Sequence, residues 1–263
     1  MSDEPIRLKS NRVFIVGGYS HVPPHQMSDH ISFFDAVSMI MQYRYGLRPE
    51  YALRDNESKL EKLPYETQRG LCYVQDKDSV IHAGFLVAIL DHASTGTGQE
   101  LEAAAEHSIP IIALMRGKEG VRVDVGFTVR NNHHNGQETL NLTRGVGGLS
   151  KMVDGNPMII ERIAYSEYSQ ALRKLDATVQ KKFRLTPITE RMRKAQQYEM
   201  EHSNPKMAAE IGAKAALLDN LLTFDPELNT AEKYEKAFPQ IRRLPINEIE
   251  PPTRTQTKPR QRN

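Results

Sequence analysis

Short apolar runs, each closed by glycine or a polar stretch, mark the first two thirds of the chain. Val13–Val16 inside "RVFIVGGYS", Phe85–Leu90 in "GFLVAIL", Ile109–Met115 in "IPIIALM" and the "PMIIERIAY" segment ending at Tyr165 have the length of buried strands. "PEYALRD" predicts a further short strand. Between the runs lie helical patterns. Ile31, Phe34, Val37 and Met41 share one helical face, with Ser28 or Asp29 as the expected cap and Gly46 as the stop. "NESKLEKLPYETQRG" is polar and weakly patterned. "SEYSQALRKLDATVQKKF" carries a stripe of Tyr168, Leu172, Leu175 and Val179. Strands that alternate with helices, and that are apolar on both faces, predict a parallel sheet covered on both sides.

A different period interrupts this order. "VRVDVGFTVRNNHHNGQETLNLTRG" alternates apolar and polar residues around "NNHHNG", which predicts an antiparallel hairpin inserted after the fourth parallel strand. Beyond Pro187, "ITERMRKAQQYEMEHS" and "PKMAAEIGAKAALLDNLLTF" read as helices, and "TAEKYEKAFPQI" as a third, short one. The expected fold is α/β: a Rossmann-like parallel sheet flanked by helices, with an inserted β-hairpin and a helical C-terminal extension. The chain divides into a tail over 1–10, a domain over 11–185, a helical extension over 186–240 and a disordered basic tail over 241–263.

Composition narrows the classes. The formal charge is +2 over 263 residues, so the body offers no strong electrostatic case for nucleic acid. The exception is the end, where "PPTRTQTKPRQRN" carries Arg254, Lys258, Arg260 and Arg262 and no acid. One cysteine, Cys72, excludes an internal disulfide framework and fits a reducing compartment. No apolar run reaches the roughly 20 residues that span a bilayer, and "MSDEPIRLKSNR" has no apolar signal centre. A soluble, cytoplasmic protein without membrane partners is expected. His133 and His134 lack a spaced Cys or carboxylate partner in sequence, so they read as a hairpin tip and no metal is expected.

The candidate chemistry sits in "LVAILDHASTGTGQELEAA". A Gly-rich turn from a strand into a helix presents unpaired N–H groups beyond the carboxyl end of a sheet, where α/β folds bind ligands. Ser94, Gly96 and Gly98 form that turn, and Glu100 is expected in the first helical turn. There the helix dipole would hold its carboxylate ionised, as a nucleophile requires. The plainer alternative is a favourable first-turn residue without further role.

"STGTGQELEAA" resembles the motif of the nucleoside 2-deoxyribosyltransferase-like superfamily, and within it the 2′-deoxynucleoside 5′-phosphate N-hydrolase branch. Ser94, Gly96, Gly98 and Glu100 match its Ser–x–Gly–x–Gly–x–Glu core. Asp76 in "QDKDSVIHAGFLVAIL" stands where the family carries a second catalytic carboxylate, and Asp78 is the alternative. "GLSKMVDGNPMIIERIAYSEYSQAL" resembles the segment whose serine, here Ser150, reaches a neighbouring subunit's site; "VFIVGG" resembles the first strand, with Gly17 at its turn. The likeness spans residues 11–183 apart from the hairpin.

The resemblance implies an N-glycosidase, acting without cofactor or metal as a homodimer or larger homo-oligomer. It would hydrolyse a (deoxy)ribonucleoside 5′-monophosphate to free base and sugar 5-phosphate. Glu100 would be the nucleophile at the anomeric carbon, as in retaining glycosidases, and Asp76 would protonate or orient the departing base or position Glu100. Ser94, Gly96, Gly98, Gly17 and Ser150 would hold the phosphate, with Gly18, Tyr19 and Ser20 as further pocket residues. Transferases acting on free nucleosides carry Asp and Asn where this chain has Ser94 and Ser150, which favours a phosphorylated substrate. Two departures stand out: "GGYSHVPPHQ" lacks the family's Arg after the first strand, and Phe14 replaces a Tyr. Asp91, at a strand end, could touch a ribose or act as a cap. Rival readings are a deoxyribosyltransferase, a phosphoribohydrolase of related type, a non-catalytic nucleotide sensor on the same fold, and an interaction protein whose basic tail binds nucleic acid.

Overall fold

A computed structural model of the protein describes residues 4–19, 22–51, 60, 62–92, 94–117, 122–131, 136–146, 151–202 and 204–221. Its centre is a five-stranded, all-parallel sheet built from β1 (Arg12–Gly17), β2 (Arg48–Glu50), β3 (Phe85–Ile89), β4 (Ile111–Arg116) and β7 (Ile159–Tyr165). The order β2-β1-β3-β4-β7 is a doubly wound topology. The helices are α1 (Pro24–Met39), α2 (Tyr65–Ile81), α3 (Thr95–Glu106), the short α4 (Lys151–Asp154), α5 (Tyr168–Phe183), α6 (Ile188–Glu201) and α7 (Pro205–Leu221). None of them is long and apolar enough to cross a membrane.

The continuous apolar strands follow from burial on both faces. Val13, Ile15, Val87, Ile89, Ile112 and Leu114 pack with Phe33, Phe34 and Val37 of α1 and Leu172, Leu175 and Val179 of α5. Their neighbours along each strand, Phe14, Val16, Leu86, Ala88, Ala113 and Met115, point the other way. They meet Val80 of α2 and Leu101 and Ala104 of α3. Each such aliphatic side chain taken out of water contributes about 1.5–3 kcal/mol. The chain leaves β1 in one direction and β3 in the other, so the topological switch point lies between the carboxyl ends of these adjacent strands.

The inserted hairpin is present as β5 (Arg122–Asn131) and β6 (Gly136–Val146), antiparallel and in sequence between β4 and β7. Its "NNHHNG" tip falls mainly on 132–135, outside the described residues, as do the third C-terminal helix and the basic tail. The two remaining extension helices pack on each other, closely enough that a Cβ on Gly212 would lie 2.4 Å from Gln196 Nε2.

Two elements differ from expectation. Helix α1 starts at Pro24, ahead of Ser28 and Asp29. Proline suits the first helical position because its φ is already helical and its missing N–H leaves no orphan donor. The helix then runs into a π-helical turn, Ile40–Arg44, and ends at Gly46, whose φ of +71° needs a residue without Cβ. Helix α2 occupies a stretch whose hydrophobic pattern predicts nothing. Its shielded residues, Gln68, Cys72, Asp76, Ser79 and Val80, lie on one face at helical spacing but are mostly polar. Its apolar Tyr65, Tyr73 and Val74 face solvent instead, at 71%, 56% and 61% exposure.

Candidate active site

The turn after β3 is shorter than its glycines suggest. Ser94 is the N-cap of α3: it is extended (φ −148°, ψ 131°), and its Oγ accepts the Thr97 N–H at 3.3 Å. The helix therefore includes Gly96 and Gly98, and no acid stands in its first turn. Glu100 falls one turn further in. The fold itself does not require glycine at either position. A Cβ on Gly98 would meet nothing within 4 Å, and one on Gly96 would meet only Ser94 Oγ, at 3.7 Å. A helical glycine costs about 1 kcal/mol relative to alanine, so bare backbone here is kept at the expense of stability.

Glu100 faces α2 across a cleft of about 240 Å³. Tyr73, Asp76 and Lys77 line one wall; α3 lines the other from Gly96 to Glu106, with Glu100, Glu102 and Glu106 as its acids. Burial raises the Glu100 carboxyl to about 8, and the negative charge of Asp76 adds to the effect. The expected ionised state is thus corrected. The helix-start field falls off within the first turn, and at Glu100 desolvation and a like charge outweigh it. Asp78 is the poorer partner: it is exposed and paired with His82, its Oδ1 lying 3.1 Å from Nδ1.

The other candidates lie at the carboxyl edge of the sheet. Gly17 ends β1 where a Cβ would come 2.6 Å from Phe34 Cζ and 2.7 Å from Ile89 O, so close packing accounts for this glycine. The Gly18 carbonyl is hydrogen-bonded to His30 Nε2 at 3.2 Å, and Tyr19 packs on His30 and Phe34. His30 also meets the ring of His92, at 5.2 Å between centroids, and so ties the segment after β1 to the segment after β3. Burial lowers the pKa of His30, as does the nearby His92. Asp91 serves as a cap, though for a strand end: its Oδ1 accepts the Arg116 N–H at 2.8 Å, and Oδ2 accepts the Tyr165 hydroxyl.

Of the residues the sequence singles out, Asp76, Gly96 and Glu100 share the cleft. Ser94 caps the same helix, while Gly17 ends β1 beside Ile89 of β3, with Gly18 and Tyr19 following it. Ser20 and Ser150 lie outside the described residues. Sequence reasoning missed Tyr73 and Lys77. Reading residues 65–81 as a helix would have found them, since positions 73, 76 and 77 then fall on one face. It also missed His30 and Arg116, which no motif marks. Comparison with protein-family models, curated proteins and solved structures finds no match to this chain.

Proposed function

We propose that the protein is an N-glycosidase that hydrolyses a (deoxy)ribonucleoside 5′-monophosphate to free base and sugar 5-phosphate. The observation that carries this reading is that, of the four acids lining one cleft (Asp76, Glu100, Glu102 and Glu106), Glu100 is raised to about 8 by burial and by Asp76. With its carboxyl raised to about 8, Glu100 keeps its proton at neutral pH beside the charge of Asp76. Glycosidic cleavage needs both forms. A carboxylate supports or captures the positive anomeric carbon, and an acid protonates the departing base. The exposed backbone of Gly96 at the helix N-terminus suits an anionic group, here the 5′-phosphate, whereas the Gly98 N–H is spent on Ser94 O at 3.1 Å. A homodimer belongs to the same reading, supported by the apolar Tyr65, Tyr73 and Val74 side chains that α2 leaves in solvent beside the cleft.

Two assignments of the pair are open to test. The family resemblance makes Glu100 the nucleophile, with Asp76 assisting the base. The raised pKa of Glu100 favours the reverse, with Glu100 as proton donor and Asp76 as the anion beneath the sugar. If Glu100 must be ionised, kcat/KM rises with pH through about 8; if it must be protonated, kcat/KM falls through the same value. The primary experiment incubates the protein with nucleotides and nucleosides and detects free base by chromatography. Glu100→Gln is the control. Base release that survives in this variant refutes a role for the carboxyl in either assignment.

A further inference from the structure

Among the described residues that end the parallel strands or directly follow them, only Arg116 is a lysine or arginine. It closes β4 at the edge of the sheet where the ligands of doubly wound folds bind. Its surroundings hold it in place without using up its charge. The backbone is pinned by the 2.8 Å bond from Arg116 N to Asp91 Oδ1. The guanidinium stands over the Tyr168 ring, 4.9 Å from the centroid. Its carboxylate contact among the described residues is loose, 3.8 Å from Nε to an Asp91 Oδ2 that already accepts the Tyr165 hydroxyl. The Asp91 side chain is only 4% exposed, whereas that of Arg116 is 49% exposed. A buried acid, a stacked ring and a strand end thus present a half-open guanidinium in a restricted set of positions. That arrangement lowers the entropy lost when an oxyanion is bound.

We propose that Arg116 binds the phosphate of the substrate and sets the preference for a nucleoside 5′-monophosphate over the free nucleoside; this inference rests on the function proposed above. The segment after β1, "GGYSHVPPHQ", has no lysine or arginine, and the N-terminus of α3 supplies only a partial charge. Lys77 brings a full positive charge to the α2 wall of the cleft; at the carboxyl edge of the sheet, where hydroxyl and backbone donors alone would leave a phosphate dianion without one, Arg116 supplies it. Asp91 and Tyr168 act as positioning residues for it.

The test measures two readouts on wild type, Arg116→Gln, Arg116→Lys and Tyr168→Leu, with each fold checked by circular dichroism. Calorimetry follows binding of inorganic phosphate and of nucleoside 5′-monophosphates, and chromatography follows base release from monophosphates and matching nucleosides. Arg116→Gln is expected to weaken monophosphate binding and kcat/KM by about 10- to 100-fold and to leave the nucleoside values unchanged. Arg116→Lys retains the charge without the planar fork and should lie between; Tyr168→Leu loosens the platform and should cost less than Arg116→Gln. If Arg116→Gln does not fold, the Lys and Leu variants decide on the same selectivity. Phosphate-ligand affinities equal in wild type and these variants, or losses shared equally by nucleosides, overturn the inference. So does a wild type that binds neither phosphate nor monophosphate. Arg116-dependent monophosphate binding without base release leaves the inference standing and removes the hydrolase reading instead.

Discussion

Of the shielded carboxyl groups among the described residues, two have opposite surroundings, Asp176 on α5 and Glu100 on α3. Asp176 is surrounded by donors: Arg44 Nε, the Tyr45 hydroxyl and Gln180 Nε2 at 3.1 Å. Burial and the Asp176 carboxylate push the Tyr45 phenol up, which keeps it a neutral donor, and Arg44 supplies the countercharge. Glu100 is half-buried beside another acid, and its own acidity is weakened in consequence. The first arrangement joins the π-helical end of α1 to α5 and has no frustrated member. The second sets two like groups against each other across a cleft. A carboxyl whose acidity is weakened by burial and by a like charge, set in a cleft, marks the candidate for chemistry.

The contrast is broken most sharply by substituting each acid. Glu100→Gln is expected to lower base release by about 1,000-fold or more, since it removes a reacting group and keeps the shape. Asp176→Ala should leave kcat/KM of the folded protein unchanged. It should cost about 3–5 kcal/mol of stability, because it strands Arg44 in a site only 19% exposed. Denaturant unfolding and steady-state assays on the two variants give the four readings. Loss of activity in Asp176→Ala at full folding would join the two regions and defeat the contrast.

A third measurement uses pH. The Glu100 pKa is raised from 4.5 to about 8 in the folded state, so the folded chain holds this proton where the unfolded chain has released it. The stability this contributes is fully present below about 4.5 and is lost as pH rises through about 8. Glu100→Gln cannot ionise, so it should match wild type near pH 4.5 and exceed it above pH 8, by on the order of 2–4 kcal/mol. Urea titrations of both proteins at those two pH values check the sign. An activity loss coupled to a stability gain is the pattern of a residue kept for function.

The two regions were also unequally legible in the sequence. The sheet was readable because Val13–Val16, Phe85–Ile89 and Ile111–Met115 are buried on both faces and their runs are uninterrupted. The hairpin was readable because its period of two differs from its surroundings. Helix α2 was not, because its inward stripe is Gln68, Cys72, Asp76 and Ser79, and hydrophobic periodicity registers a helix only when its shielded face is apolar. The wall of the candidate site was thus hidden by the very polarity that makes it a candidate. Asp76 and Glu100 could be picked out by motif, but their charge state could not. It depends on a cap one turn before Glu100 and on a neighbour from a helix the pattern did not predict.

The finest test of the contrast is Asp76→Asn. Burial is the larger cause of the Glu100 shift and the Asp76 charge the smaller, so neutralising Asp76 should bring Glu100 down from about 8 without returning it to 4.5. Carboxyl carbon resonances of Glu100, followed by NMR titration in wild type and Asp76→Asn, read this directly. The kcat/KM limb assigned to Glu100 should move by the same amount and in the same direction, since both report one proton on the free protein. Asp176→Asn should leave that titration where it was, because no Asp176 charge acts on Glu100. A Glu100 titration unmoved by Asp76→Asn would mean that burial alone sets its acidity. The two acids would then share a cleft without acting on each other, and the case for a paired acid and base would reduce to one half-buried carboxyl.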